Sequence, residues 1–342
     1  MLIHIPFFFD IFICARGTDM EQTKKRLVVL TSGGDAPGMN ACVRAITRKA
    51  INQGVDVLAA LDGFRGLSEG DFIPLDYESV SGVIDRGGTF IGTARYPAFL
   101  EETTRLKAWA HLKKENAIGV IGIGGDGTYH GLKALSELST NVIGVPGTID
   151  NDIPLTDFTL GFSTALDTIV EALGRIRDTM SSHHRIFVVE VMGRHCGELA
   201  SYAGLASGAD CVITKDNFVD YNTCVEQIRE VKERRGKRQL LIVCQENVLD
   251  VAKLATLSEK ATGIESRYEV LGHIQRGGFP SAYDRVLGTL LGEKAATLLL
   301  EGSSGLAVGI EDNKVTTHSF VEVLNSQRKL HPELLDAERN IR

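Results

Sequence analysis

Short β-branched apolar runs, each closed by a glycine-rich loop and followed by a helical stretch, recur along this chain and constrain its fold more than any other feature. The first unit is residues 27–31, the loop "SGGDAPG" and a helix over 39–53. Strands are then expected at 55–61, 117–123 and 141–145, with helices at 77–84, 103–114 and 129–138. The pattern restarts after Gly161 with a helix over 163–180 and strands at 186–191, 211–213, 240–244 and 268–271. A long helix over 284–300 and a late strand at 306–310 complete it. Buried parallel strands read as continuous apolar runs, and β-loop-α alternation places helices on both faces of a parallel sheet. The 342 residues exceed one ordinary core. The expected class is therefore α/β, with two Rossmann-like, three-layer α/β/α domains and mostly parallel sheets.

Composition narrows the partners. A formal net charge of −7 opposes nucleic acid or an anionic membrane as a partner, since both need a positive footprint. The six cysteines are scattered without a C-x-x-C pair, so no zinc or disulfide framework is visible and a reducing cytoplasm is expected. The first segment, "MLIHIPFFFDIFICARGTD", is apolar but short and interrupted by Asp10, and it lacks a basic start. Residues 1–19 read as a dispensable extension, neither a membrane span nor a signal peptide.

Ligands of open α/β sheets bind beyond the strand C-termini. Four loops fall there, "TSGGDAPG" (31–38), "GGDGT" (124–128), "PGTIDND" (146–152) and "MGRHCGE" (192–198). The second sits in "VIGIGGDGTYHG", where Gly122, Gly124 and Gly127 spell the G-x-G-x-x-G of a dinucleotide site. That reading also needs an acid at the end of the next strand, and here the next strand runs into Val145-Pro146-Gly147. It further needs a loop free of carboxylates, and Asp126 stands among the glycines. A magnesium ion makes sense of Asp126, because Mg²⁺ takes carboxylate oxygens together with nucleotide phosphates. Asp150 and Asp152 can then divide proton abstraction and metal support, or serve as turn caps. Arg95, Arg175, Arg177, Arg185, Arg194, Arg267 and Arg276 lie in or next to Gly-rich or His-containing turns. Guanidinium groups match phosphate oxygens, so a phosphorylated substrate is expected, with His273 as a further donor. The basic run "KERRGKR" (232–238) is either a solvated helix end or an anion site.

Taken together, "LTSGGDAPGMNA", "RGGTFIGTAR", "IGGDGTYHG", "PGTIDNDIPLTDFTLGFSTA", "VVEVMGRHCGELA" and "VLGHIQRGGFPSAYDR" resemble the bacterial ATP-dependent 6-phosphofructokinases, in family order from about Arg26 to near Gln327. The resemblance implies phosphorylation of fructose 6-phosphate at its 1-hydroxyl by ATP and Mg²⁺, the committed step of glycolysis. It implies a larger ATP-binding domain (20–160 plus 274–325) and a smaller sugar-phosphate domain (161–273 plus 326–342). By motif, Asp150 resembles the general base, Thr148 and Arg194 the groups at the transferring phosphoryl, Asp152 a supporting carboxylate and Asp126 the metal ligand. Gly34, Arg95, Tyr96, Gly125, Asp126, Gly127 and Thr128 resemble the ATP site. Met192, Gly193, Glu246, His273 and Arg276 resemble the sugar-phosphate site, completed by Arg185 and Arg267 from a neighbouring subunit of a homotetramer. Pyrophosphate-using relatives carry Asp and Lys where this chain has Gly127 and Gly147, which favours ATP. Arg44, Arg48, Arg177, Asp210 and Lys237 match effector positions. Tyr77 replaces an expected arginine there and Gly82 an expected acid, so weak or altered allosteric control is expected. The competing readings are a pyrophosphate-dependent enzyme, a nicotinamide oxidoreductase and an inactive regulatory paralogue.

Overall fold

The computed structural model describes residues 24–236, 238–328 and 332–341. Its strands are β1 (Arg26–Ser32), β2 (Asp56–Ala60), β3 (Phe72–Leu75), β4 (Ala117–Gly124), β5 (Val142–Pro146), β6 (Ile186–Val191), β7 (Cys211–Ile213), β8 (Leu240–Gln245), β9 (Ser266–Val270), β10 (Leu306–Glu311) and β11 (Lys314–Ser319). Its helices are α1 (Met39–Asn52), α2 (Phe64–Glu69), α3 (Glu102–Lys114), α4 (Asp126–Ser136), α5 (Phe162–His183), α6 (Glu198–Ala206), α7 (Tyr221–Arg235), α8 (Val251–Thr262), α9 (Ala282–Leu300), α10 (Phe320–Asn325) and α11 (Pro332–Ile341).

Two sheets organise the chain. One has the order β11-β10-β5-β4-β1-β2-β3, parallel except for the outer pairs β10–β11 and β2–β3. The other, β7-β8-β6-β9, is parallel throughout. The expected α/β class with mostly parallel sheets is thus observed. The two antiparallel margins were not expected from the sequence. The outermost strands, β3 and β11, are mostly half-buried or exposed and so lack the continuous apolar signal of the central strands.

From β1 the chain passes to β2 on one side, then crosses to β4 on the other. This order reverses direction between β1 and β4, the place where doubly wound sheets open a crevice at the strand C-termini. Ser32 is in register with Gly124, and Gly124 with Pro146, so the loops after β1, β4 and β5 start at one level.

The core is built as the pattern requires. Leu27, Val29, Ile121, Ile123, Ile143 and Val145 on one face of the large sheet join Val189, Leu241 and Val243 of the small one in a single buried cluster. Asp284, in the first turn of α9 and fully buried, accepts the backbone N–H groups of Gly161 and Thr164, each at 2.9 Å, and the Thr164 hydroxyl at 2.5 Å. One carboxylate therefore ties the starts of α5 and α9 together, satisfying donors that a helix N-terminus leaves open.

The helix expected over 77–84 is not formed; the segment is a series of turns. Asp76 N–H donates to Ser79 Oγ and Ser79 N–H to Asp76 Oδ1, both at 2.8 Å, so local side-chain bonds replace helical ones. Residues 1–19 lie outside the described residues. No helix among the described residues is long and apolar enough to cross a membrane.

Candidate active site

A cleft of about 480 Å³ opens at the β1/β4 crevice. It gathers Gly34, Arg95, Tyr96, Gly125, Asp126, Gly127, Thr128, Thr148, Asp150, Asp152, Arg194 and Arg276, drawn from loops spread over most of the chain. All the residues expected for the ATP site and for the catalytic step line this one space.

One wall is the start of α4. Gly125 precedes the helix in extended conformation, and Asp126 is its first residue. The helix therefore points unsatisfied N–H groups and its positive end into the cleft, an arrangement suited to phosphate. A side chain added at Gly127 would meet no protein atom within 4 Å, so the missing Cβ enlarges the cleft itself. Gly147 differs. A Cβ there would press on Met39 Cε at 2.9 Å and Ile123 Cγ2 at 3.0 Å, inside the core. Both glycines line the cleft, but only at Gly127 does the missing Cβ face open space. Further out, Phe64 and Phe99 stack with centroids 4.2 Å apart and join Tyr96 and Leu100 in an apolar wall. Phe64, Phe99 and Leu100 sit outside every quoted motif and are not read as site residues from the sequence, whereas His130 lies inside "IGGDGTYHG" one turn into α4.

The opposite wall is the T-I-D-N-D loop. Asp150 is 8% exposed, and its Oδ1 has no hydrogen-bond partner among the described residues; the same is true of Asp152 Oδ1. Burial pushes the Asp150 carboxyl up to about 7, reinforced by the negative charges of Asp152 and Glu246 and opposed by Arg276 and Arg194. Burial likewise raises Asp152, with the Arg194 charge and a bond from the Thr148 hydroxyl among the opposing influences. The Thr148 hydroxyl also accepts the Asp150 N–H at 3.2 Å, and Thr159 Oγ1 donates to the Thr148 carbonyl at 2.6 Å.

Arg194 comes from the second sheet, on the turn after β6. Gly193 has φ +136, and a Cβ there would lie 2.5 Å from the Cys196 carbonyl oxygen, so only glycine fits this turn. Gln275 Oε1 accepts the Met192 N–H at 3.0 Å, Glu246 Oε1 the Arg194 N–H at 2.9 Å, and Gln245 Nε2 donates to the Arg194 carbonyl at 3.1 Å. Gln275 is fully buried and was not singled out from the sequence, although it lies inside "GHIQRGG".

Other expected site residues lie elsewhere. Met192, Gly193, Glu246 and His273 flank the cleft in sequence without lining it, and His273 is exposed. Arg185 and Arg267 converge on one carboxylate outside the cleft. Arg185 Nε lies 2.8 Å from Glu265 Oε2, and Arg267 pairs with Glu265 Oε1. The effector candidates fall into two places. Arg177 and Asp210 line a concavity of about 410 Å³ with Arg238. Arg48 lies over the Tyr77 ring at 5.6 Å, and burial followed by the Arg48 charge lowers the Arg44 pKa. Lys237 lies outside the described residues. The basic run divides: Lys232 donates to the Thr262 carbonyl at 2.6 Å, whereas Arg238 faces the concavity.

Among the described residues no cluster of three His, Cys, Asp or Glu side chains forms a ready-made metal cage. A hard cation that takes most of its ligands from phosphates and water needs none. The exposed Asp126 carboxylate and the unpartnered Asp152 oxygen across the cleft fit such an ion.

A phosphofructokinase family profile matches residues 26–299. ATP-dependent 6-phosphofructokinase from Listeria welshimeri is 46% identical over 312 residues, covering 91% of this chain and 98% of that protein. Its counterpart from Bacillus cereus is 45% identical over 317 residues, covering 93% and 99%. Among solved structures, phosphofructokinase from Saccharomyces cerevisiae superposes with a TM-score of 0.83 at 35% identity over 93% of this chain. This chain spans 47% of that longer one.

Proposed function

The chain belongs to the phosphofructokinase family, and from that premise we propose how its own residues divide the transfer of the ATP γ-phosphoryl to fructose 6-phosphate. It is an ATP-dependent 6-phosphofructokinase by family and by relatives of its own length. The observation that carries the assignment of roles is Asp150: a buried carboxylate raised to about 7, unpartnered on one oxygen, facing two arginines across a cleft with a helix N-terminus on its far wall.

Asp150 takes the proton of the sugar 1-hydroxyl. A base with a pKa near 7 is ionised often enough to act and basic enough to accept the proton at neutral pH. Arg194 and Arg276 supply fixed positive charge where the transferring group spreads its negative charge, the main protein contribution to such a step. Thr148 orients the T-I-D-N-D loop from within. The α4 N-terminus and the Gly125–Thr128 turn cradle the triphosphate, with Gly34 and Arg95 beside them, and the Phe64–Phe99 wall receives the nucleoside. Asp126 holds Mg²⁺, supported by Asp152. When bound, the ion would supply positive charge that offsets the negative charge of the phosphates.

Met192, Gly193, Glu246, His273 and Arg276 take the sugar phosphate. Arg185 and Arg267, paired on Glu265 away from the cleft, serve a neighbouring subunit's site in a homotetramer, and a phosphorylated substrate would replace Glu265 as their counter-charge. The larger unit is 20–160 plus 274–325 and the smaller 161–273 plus 326–342. Membership of the large sheet by β10 and β11, and of the small sheet by β6–β9, supports that division.

The test offers purified protein fructose 6-phosphate and Mg²⁺ with ATP, pyrophosphate or NAD. Fructose bisphosphate should form with ATP alone. Turnover with pyrophosphate and not ATP would overturn the donor assignment, and Gly127→Asp, which fills open cleft space, should raise the KM for ATP by at least about 10-fold while leaving that for the sugar phosphate within about 3-fold.

A further inference from the structure

A chain of buried polar contacts runs behind the catalytic loop and takes no part in the chemistry above. Asn151 stands between Asp150 and Asp152, is fully buried, and holds a left-handed φ of +52. Its side chain is saturated. Oδ1 accepts the Thr159 N–H at 2.8 Å; Nδ2 donates to the Asp157 carbonyl at 3.0 Å and to Glu198 Oε2 at 2.5 Å. Glu198, the first residue of α6, is also fully buried. Its cation comes from 130 residues downstream, beyond α10. Arg328 Nε reaches Glu198 Oε1 at 2.7 Å and Arg328 Nη2 reaches Oε2 at 2.9 Å. Arg328 also donates to the Thr156 carbonyl and, at 2.9 Å, to the Asp157 carbonyl that Asn151 already contacts. The guanidinium thus closes a ring through Glu198, Asn151 and the backbone of the loop that carries Asp150.

We propose that Arg328 is a positioning residue for phosphoryl transfer: by neutralising Glu198 it keeps the Asn151 amide locked, and the locked amide fixes the direction of the carboxylates on either side. Arg328 does not line the cleft, and neither does any of its hydrogen-bond partners Glu198, Thr156 and Asp157. A buried carboxylate stripped of its cation must find another partner or a proton, and either change releases the amide it held. A bidentate guanidinium suits the task because it satisfies both Glu198 oxygens and two carbonyls at once, which an ammonium cannot do. The left-handed Asn151 backbone is one that asparagine adopts more readily than other non-glycine residues, and its side-chain bonds hold it in that turn. The inference rests on Asp150 being the base.

The test is a double-mutant cycle between Arg328→Ala and Asp150→Ser, read as kcat and both KM values. Arg328→Ala alone should lower kcat by roughly 10- to 100-fold, the scale of a small misplacement of a catalytic group, with both KM values within about 3-fold. In the Asp150→Ser background the same change should cost no more than about 3-fold, because there is no base left to misplace. Arg328→Lys, which keeps the charge and loses the fork, should fall between. If Arg328→Ala does not fold, Arg328→Lys goes through the same cycle and should show the same loss of effect beside Asp150→Ser. Equal losses in both backgrounds, or unchanged kcat in the single variant, would overturn the proposal. Wild-type kcat in Asp150→Ser alone would instead remove Asp150 as base, a separate result.

Discussion

Replacing Asp150 by Asn should make the protein more stable and nearly inactive, with a stability gain that depends on pH in a defined way. Burial pushes the folded-state pKa up to about 7 from an ordinary 3.8. A carboxyl that binds its proton more tightly when folded stabilises the fold relative to its ionised form at low pH. That advantage is lost as pH rises from the unfolded value towards the folded one. Below about pH 4 both states are protonated and Asp150 is neutral in its effect. At pH 5 the folded protein keeps a proton that the unfolded chain has mostly released, and retaining it costs the fold about 2 kcal/mol. At pH 8 the carboxylate is ionised in both states and the full difference applies, on the order of 4 kcal/mol at about 1.4 kcal/mol per pKa unit. Asn has nearly the same shape and cannot ionise, so it removes the cost. Thermal unfolding followed by circular dichroism should show the Asn variant melting slightly above wild type at pH 5 and several degrees above it at pH 8. Meanwhile kcat should drop by roughly 10²- to 10⁴-fold, the usual worth of a positioned base. A stability difference that is flat or shrinking between pH 5 and pH 8 would refute a desolvated Asp150. Undiminished kcat would refute its role as base.

Two further outcomes are expected. Because Arg48 is engaged by the Tyr77 ring where the family resemblance implies an arginine, ADP or phosphoenolpyruvate should move the fructose 6-phosphate saturation curve by less than about 3-fold, and Tyr77→Arg should enlarge the shift. A large shift in wild type would show that the ring leaves the effector site working. If Arg185 and Arg267 complete a neighbour's site, mixing inactive Asp150→Ser subunits with inactive Arg267→Ala subunits, then dissociating and reassembling them, should restore measurable activity through sites that pair an intact Asp150 with an intact Arg267. No recovery in confirmed mixed oligomers would place Arg267 within its own subunit's site.

What could be read from sequence divides along a physical line between local and non-local determinants. The central strands were legible because burial on both faces demands an unbroken apolar run, and the catalytic loops because phosphate chemistry demands glycine beside aspartate. Asp126, Thr148 and Asp150 each sit in or at the edge of a loop whose letters point to the roles proposed for them. The turn at 77–84 misled because its composition is compatible with a helix, and only the reciprocal Asp76–Ser79 bonds decide against one. The apolar wall of the cleft is two phenylalanines from separate segments, Phe64 and Phe99, whose meeting is set by tertiary packing. Gln275 lies inside a motif yet works on Met192, 83 residues away, through its side-chain oxygen. Arg328 stands in no motif at all. Its partner Glu198 looks in sequence like an ordinary acid at a helix start, a position that favours negative charge without a cation. Only complete burial of Glu198 creates the need for Arg328. A reaction can be read from residues that touch substrate, because their types are dictated by the substrate's chemistry. The residues that aim them are dictated by one another, and become visible only when the chain is folded.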